Sequence, residues 1–577
     1  MSVDKLITDH IDIWSSALQT RSTAGRGSRG KIDLYGIKKL RELILELAVR
    51  GKLVPQDPND EPASELLKRI AAEKAELVKQ GKIKKQKPLP EISEDEKPFE
   101  LPGGWEWTSL SEIAAINPKI EVTDDDQEIS FVPMPCVSTR FDGFHEQETK
   151  KWGEVKKGYT HFADGDVALA KITPCFENSK AAVFRGLKGG VGVGTTELHV
   201  ARPFSTELNL QYILLNMKSP HYLSIGESKM TGSAGQKRVP RSFFENYPIP
   251  FPSSVEQTRI VETFSKLMSL CDQLEQQSLT SLEAHQQLVE TLLATLTDSQ
   301  NAKELTENWA RISQHFDTLF TTEASIDALK KTILQLAVMG KLVPQDPNDE
   351  PASELLKRIE QEKVKLVKEG KIKKQKPLPL VSDEEKPYEL PVGWEWCRFG
   401  SVINVRAELV KPENYYDFFQ VAPDIIEKGT GKVISQRTVK ESGIKGPNSR
   451  FYKNQIVYSK IRPSLSKVFI AGYDGLCSAD MYPLDCFLNT GYLLKVMLSE
   501  VFLIQVRAAE NRIKMPKLNV ESLSNILIPV PPAGIQSAVF SEISQMDTFC
   551  DQLKSRLQSA QQTQLHLADA LTDAALN

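Results

Sequence analysis

Apolar residues recur at alternating three- and four-residue spacing over two long stretches of the chain. Ile260, Phe264, Leu267, Cys271, Leu274, Leu288 and Leu292 form one seam, softened by Ser278, Ser281 and His285. Val539, Ile543, Met546, Cys550, Leu553, Leu557, Leu567 and Leu571 hold the same register 279 residues later. A heptad of this kind predicts two helices of about 40 residues and about 60 Å, packed on one another as a spacer. Shorter helical patterns, "IKKLRELILELAVRG" and "LKKTILQLAVMG", stop at Gly51 and Gly340, each placed as a helix-terminating glycine. Period-two alternation appears elsewhere. "DVALAKITP" at 166–174 and "QIVYSKIRP" at 455–463 read as strands ending in a proline turn, with "GTTELHVARP" and "CSADMYPLDC" as partner strands.

These patterns belong to a unit written twice. "GKLVPQDPNDEPASELLKRI" occupies residues 51–70 and returns unchanged at 340–359. From Ile44 to Trp107, an offset of 289 gives a gapless match to Ile333 through Trp396, including "GKIKKQKPLP" and the related "EKPFELPGGWEW" and "EKPYELPVGWEW". A second echo, from Pro250 and from Pro529, carries the helices. The order is frame, variable middle, helix, twice over. The expected domains are a helical frame at 1–107, a variable domain at 108–250, a spacer helix at 251–300, a second frame at 301–396, a second variable domain at 397–530 and a last helix at 531–577. Recent duplication would have left the middles alike as well. Like frames with unlike middles imply that both frames dock on one kind of surface and the middles on different ones.

At 577 residues the chain exceeds a single core. Seven scattered cysteines without a CxxC pair argue against a disulfide frame or structural zinc, and point to a reducing cytoplasm. The N-terminus carries acids within an amphipathic pattern, unlike a secretory signal, and no apolar run is long enough for a bilayer. The net charge of −4 excludes a uniformly basic surface, so nucleic-acid binding has to rest on local patches. Such patches exist. Residues 229–241 hold Lys229, Lys237, Arg238 and Arg241 with no acid; residues 453–467 hold Lys453, Lys460, Arg462 and Lys467, again with none. Residues 505–517 hold Arg507, Arg512, Lys514 and Lys517 against Glu510 alone. With Lys171 and Lys180 these are the candidate DNA-binding residues, suited to phosphate neutralisation. The first and third patches align if Val239-Pro240 is set against Met515-Pro516. The "KIKKQK" run of the frames reads as a solvated face.

Catalytic signatures are missing. "GGVGVGTTE" at 189–197 lacks the lysine of a phosphate loop and reads as a glycine-rich turn between strands; His145-Glu146 lacks a second histidine; "NPKI" at 117 lacks the second proline and aromatic of an amino-methyltransferase motif. No catalytic or metal-binding residues are assigned. From the residues alone, a protein-binding adaptor and an enzyme with an unfamiliar site remain as rival classes.

The duplicated "GKLVPQDP…PASELL" frames, the "LPxGWEW" openings, the "K-I-x-P" strand ends and the "IP-x-P-P" exits into helices bearing "CDQL" together resemble the specificity subunit of type I DNA restriction-modification systems, with frame wording like the type IB subgroup. The resemblance covers the whole chain. It implies an α+β fold: two mixed α/β target-recognition domains held apart by long antiparallel coiled-coil helices, a tandem duplication with pseudo-twofold symmetry. It also implies that each domain grips one half of a split, asymmetric site in double-stranded DNA. The helices would bind two methyltransferase (modification) subunits, which use S-adenosylmethionine to methylate adenine at N6. Restriction subunits using ATP and Mg would complete a translocating endonuclease. No cofactor is expected on this chain, no membrane is involved, and the setting is a bacterial or archaeal cytoplasm. One departure stands out: "LTD" lies about one turn further from "DQL" in the first helix than in the second.

Overall fold

The computed structural model describes residues 3–21, 31–83, 92–233, 235–406, 408–510 and 516–576. The chain forms two compact units, one of residues 1–280 with 560–577 and the other of residues 281–559.

In the first unit the Tyr35–Val49 helix ends as the glycine pattern predicts. The Lys52 N–H donates to the Leu47 carbonyl (2.9 Å), and Gly51 sits at φ +68°, a Schellman closure. A second constraint holds the same glycine: an added Cβ would lie 2.6 Å from Pro102 and 2.8 Å from the Trp105 ring. The "LPGGW" turn is therefore clamped on the helix end, which links two motifs 50 residues apart. The Trp105 indole N–H donates to Glu256 at the start of the long Ser254–Asp298 helix (2.9 Å). Strand Glu106–Thr108 pairs antiparallel with Ile249–Phe251 and closes the neck of the variable middle.

That middle contains two four-stranded sheets. One runs in the order Glu148–Lys151, Glu128–Val132, Val191–Gly194, Thr160–Ala163; the other Ala114–Ile116, Leu198–Pro203, Val167–Ala170, Ala181–Val183. The sheet core is Phe162, Phe184, Ala168 and Val200, backed by the Leu210–Lys218 helix. Here a sequence expectation fails. The glycines at 192 and 194 form a strand, not a turn, because the buried Phe162 ring lies where their side chains would stand, 2.5 and 3.0 Å from the points that a Cβ would occupy. Glycine in this strand makes room for an aromatic.

The second unit repeats the plan. The Glu323–Val338 helix ends at Gly340 (φ +73°) under Pro391 and Trp394. Strand Glu395–Arg398 pairs with Leu527–Val530. Its sheets are Ile403–Val405, Met481–Cys486, Ile456–Ser459, Val468–Ile470 and Leu409–Val410, Asn448–Phe451, Gly475–Cys477, Phe419–Val421. As expected, Leu198–Pro203 partners Val167–Ala170 in one unit and Met481–Cys486 partners Ile456–Ser459 in the other.

The long helices, Ser254–Asp298 and Ala533–Leu576, each begin in one unit and end in the next. In each unit a frame cation anchors one of them: Arg41 on Asp272 (2.7 Å) and Lys330 on Asp551 (2.8 Å). The last helix returns to the first frame, where the Tyr35 hydroxyl donates to Asp569 (2.7 Å). The heptad seam needs correcting in its second half. Leu288 is 50% exposed and Leu567 is 41% exposed, whereas Val289 and Ala568 are buried at 1% and 0%. Leu288 follows Ile260 by four heptads, but eight turns of a straight helix take about 29 residues, not 28. Both helices drift by that one residue at equivalent places.

Candidate nucleic-acid interface

In each variable middle three separate segments meet at the end of one sheet, the one that holds Val167–Ala170 in the first and Ile456–Ser459 in the second. Antiparallel register makes the meeting unavoidable. Leu198 pairs with Ala170, so Glu197 comes beside Lys171, and the Lys171 N–H donates to the Glu197 carbonyl (2.9 Å). The Val239 N–H then donates to the Lys171 carbonyl (2.8 Å), which brings Arg238 to the same edge. Its guanidinium forks onto the Glu197 carboxylate, Nε to Oε2 at 2.9 Å and Nη2 to Oε1 at 2.8 Å. These bonds hold the Glu197 carboxyl below its ordinary range, while burial pushes the Lys171 ammonium down.

The second unit builds the same edge from different letters. Met481 pairs with Ser459, so Asp480 comes beside Lys460; the Lys460 N–H donates to the Asp480 carbonyl (3.0 Å) and the Leu518 N–H to the Lys460 carbonyl (2.9 Å). Lys517 reaches the Asp480 carboxylate at 3.2 Å, and the Lys460 ammonium lies 3.7 Å from it. Leu518, not Met515, is thus the equivalent of Val239. The backbone ladder sets the register here, and the shared proline misled the alignment. A side chain ties the exit loop to the strand in both units: His199 Nε2 lies 3.2 Å from the Val239 carbonyl, and the Tyr482 hydroxyl donates to the Leu518 carbonyl (3.2 Å).

The candidate cations divide into two groups. Lys229, Lys237, Lys453 and Arg462 have no side-chain partner among the described residues; Lys229, Lys237 and Lys453 occupy exposed loop positions, and Arg462 is exposed at φ +46°. Lys171 feels Glu197 through space, with no hydrogen bond or ion pair from its ammonium among the described residues. The others are engaged. Lys180 donates to the Met134 carbonyl (2.9 Å), Arg241 pairs with Glu245 (2.5 Å), Lys467 donates to the Pro423 carbonyl and Arg507 pairs with Glu500. Arg512 and Lys514 lie outside the described residues, as does most of the first "KIKKQK" run. The patches that read as acid-free in sequence are therefore not acid-free in space. Glu197 and Asp480 were missed because they lie outside the patches, 20 or more residues along the chain from the bases they meet; the available signal was an acid opening the strand that faces a lysine-ended strand. Among the described residues no group of His, Cys, Asp or Glu gathers as a metal site, and no helix is long and apolar enough to cross a membrane.

Comparison with known proteins bears on this geometry. The family described as type I restriction modification DNA specificity domain matches residues 102–284 and 391–561. The chain belongs to this family. It is 69% identical to the type I restriction enzyme EcoEI specificity subunit of Escherichia coli and 63% identical to the EcoAI specificity subunit of the same organism, over 100% of this chain and of each relative. The crystal structure of the HsdS subunit from Thermoanaerobacter tengcongensis aligns at 16% identity with a TM-score of 0.45, over 83% of this chain and 98% of that one. Each of the two specificity-domain segments contains one complete cluster, Lys171–Glu197–Arg238 in the first and Lys460–Asp480–Lys517 in the second.

Proposed function

We propose that this chain is the DNA-reading subunit of a type I restriction-modification complex, each variable middle reading one half of a split, asymmetric duplex target. The observation that carries the reading is the same cation-bearing edge, built from three segments, in two modules that otherwise diverge. Lys229 and Lys237 in one module, and Lys453 and Arg462 in the other, are available for phosphate. Base reading falls to the loops they position. The reading agrees with the relatives, which are named specificity subunits.

On this reading the frames and long helices dock two methyltransferase subunits, and restriction subunits join them. S-adenosylmethionine, ATP and Mg are used by those partners, whose complex methylates adenine at N6 and cleaves DNA. The adaptor reading offers no reason for cations at the same edge of both modules. The test is to sequence genomic DNA for methylated adenines with this gene present and deleted. A bipartite motif that appears only with the gene supports the assignment; an unchanged set of methylated adenines refutes it.

A further inference from the structure

The acid at the centre of each cluster has no obvious place on a face meant for phosphate. Glu197 neutralises Arg238, and Asp480 stands between Lys460 and Lys517. Stability does not explain them. The three segments are already joined by backbone hydrogen bonds, Lys171 to Glu197 and Val239 to Lys171 in one module, Lys460 to Asp480 and Leu518 to Lys460 in the other. Partly exposed pairs of this type contribute about 0–1 kcal/mol. Yet the arrangement of base, acid, base occurs in both modules although the letters differ, Glu with Arg in one and Asp with Lys in the other.

The cost of leaving the acid out falls on DNA binding. A free cation at this edge would grip any phosphate, and phosphate contacts carry no sequence information. The neighbouring exposed Lys237 is placed to supply such a contact in the first module, as Arg462 is in the second. We propose that Glu197 and Asp480 are specificity-determining residues, which hold Arg238 and Lys517 back from phosphate and so keep sequence-blind affinity low. The carboxylate also fixes the planar Arg238 fork in one orientation at the edge of the loop. This inference rests on the DNA-reading assignment made above.

The test uses the full chain assembled with its methyltransferase subunits, and two fluorescent duplexes, one of random sequence and one carrying the motif found in the genomic experiment. In the Glu197→Gln variant, release of Arg238 adds about one phosphate contact. Affinity for the random duplex then falls by a further factor of about 3.5 between 50 and 200 mM salt, relative to wild type. The preference for the motif over random DNA shrinks, and mismatches become tolerated in one half-site only; Asp480→Asn relaxes the other half. Adding Arg238→Gln to Glu197→Gln returns the salt dependence to that of wild type. An unchanged salt dependence in Glu197→Gln overturns the inference, as does relaxation of both halves or a double variant that stays steep. Loss of all binding in Glu197→Gln would make the acid a folding element and overturn it too. A wild-type complex without sequence preference overturns the DNA-reading assignment itself, and the inference with it.

Discussion

His199 gives the first module a sensitivity to acid that the second lacks. The ring is buried, stacked on Phe244, with Nε2 facing the Val239 carbonyl at 3.2 Å. A carbonyl only accepts, so Nε2 carries the proton, and Nδ1 is buried without a partner among the described residues. Protonation would place a charge there, desolvated and near Lys171 and Arg241, with Glu197 a weaker compensation; burial dominates and pushes the pKa down to about 4. A group held neutral in the folded state makes stability fall as pH falls, because the unfolded chain takes up a proton below its ordinary value near 6.5 and the folded chain does not. Between pH 7 and pH 4.5 the linkage amounts to roughly 2.5 kcal/mol, from 1.36 kcal/mol per unit across the part of the window that is traversed. His199→Gln keeps an N–H that can reach Val239 but does not titrate. The assay is urea unfolding of the full chain at both pH values, with wild type and variant compared so that all other titrations cancel. The unfolding step of the first unit should lose about 2.5 kcal/mol less in the variant than in wild type on acidification. The second unit, with Tyr482 in the equivalent place, is an internal control and should not respond. Equal acid losses in wild type and variant would refute the argument.

Other expectations are as direct. Lys237→Ala should flatten the salt dependence of DNA binding by about one ion's worth, whereas Arg238→Ala, whose cation is already engaged, should move it less; equal effects would contradict the division of free and engaged cations. Gly51→Ala forces a side chain into the left-handed region and against Trp105, and should cost at least about 1–2 kcal/mol in urea unfolding, with a wild-type midpoint as the refuting result. Four residues inserted after Thr280 and after Ser559, where the long helices pass from unit to unit, add about 6 Å of helix and should lengthen the gap between half-sites while leaving both halves unchanged; an unaltered gap would count against the spacer. Replacing residues 108–248 by the corresponding segment of a relative should change one half of the methylated motif, and a change in both halves would contradict independent readers.

What the sequence disclosed was set by the range of the interactions involved. Helix ends at Gly51 and Gly340, strand pairs such as 167–170 with 198–203, and the twofold repeat are written in local period or in copied letters, and each was legible. The drift of the seam from Leu288 to Val289 was not, because a heptad count assumes 3.5 residues per turn and accumulates error over four heptads. Glycines 192 and 194 were misassigned because their reason lies in Phe162, some 30 residues earlier, where a large buried ring takes the space of two missing side chains. The site was half legible. The bases stood out as runs, but Glu197 and Asp480 arrive from a facing strand, and a linear count of charge does not register a neighbour brought in by pairing.

The identity of the two frames has two causes, and internal packing accounts for one of them. Gly51 and Gly340 are fixed by conformation and by the tryptophan turn above them. Gln56 and Gln345 each donate to the carbonyl of that glycine (3.2 Å), and the Ala63 and Ala352 N–H groups donate to the carbonyls of Gly104 and Gly393. Asn59 and Asn348 close the same turn on Asp57 and Asp346 (2.9 Å). None of these positions needs a partner to explain why it is copied. Pro55 with Pro344 and Pro58 with Pro347 are different: they are exposed in both units. Lys68 and Lys357 are exposed too, each paired only with the glutamate one turn before it, Glu65 (2.6 Å) and Glu354 (2.7 Å). Since the two frames stand before modules that have diverged, identity at such positions supports the proposal that both frames present one surface to the same kind of partner. The proposed docking of two like methyltransferase subunits draws its support from that exposed remainder, and the buried part of the repeat would look the same without any partner at all.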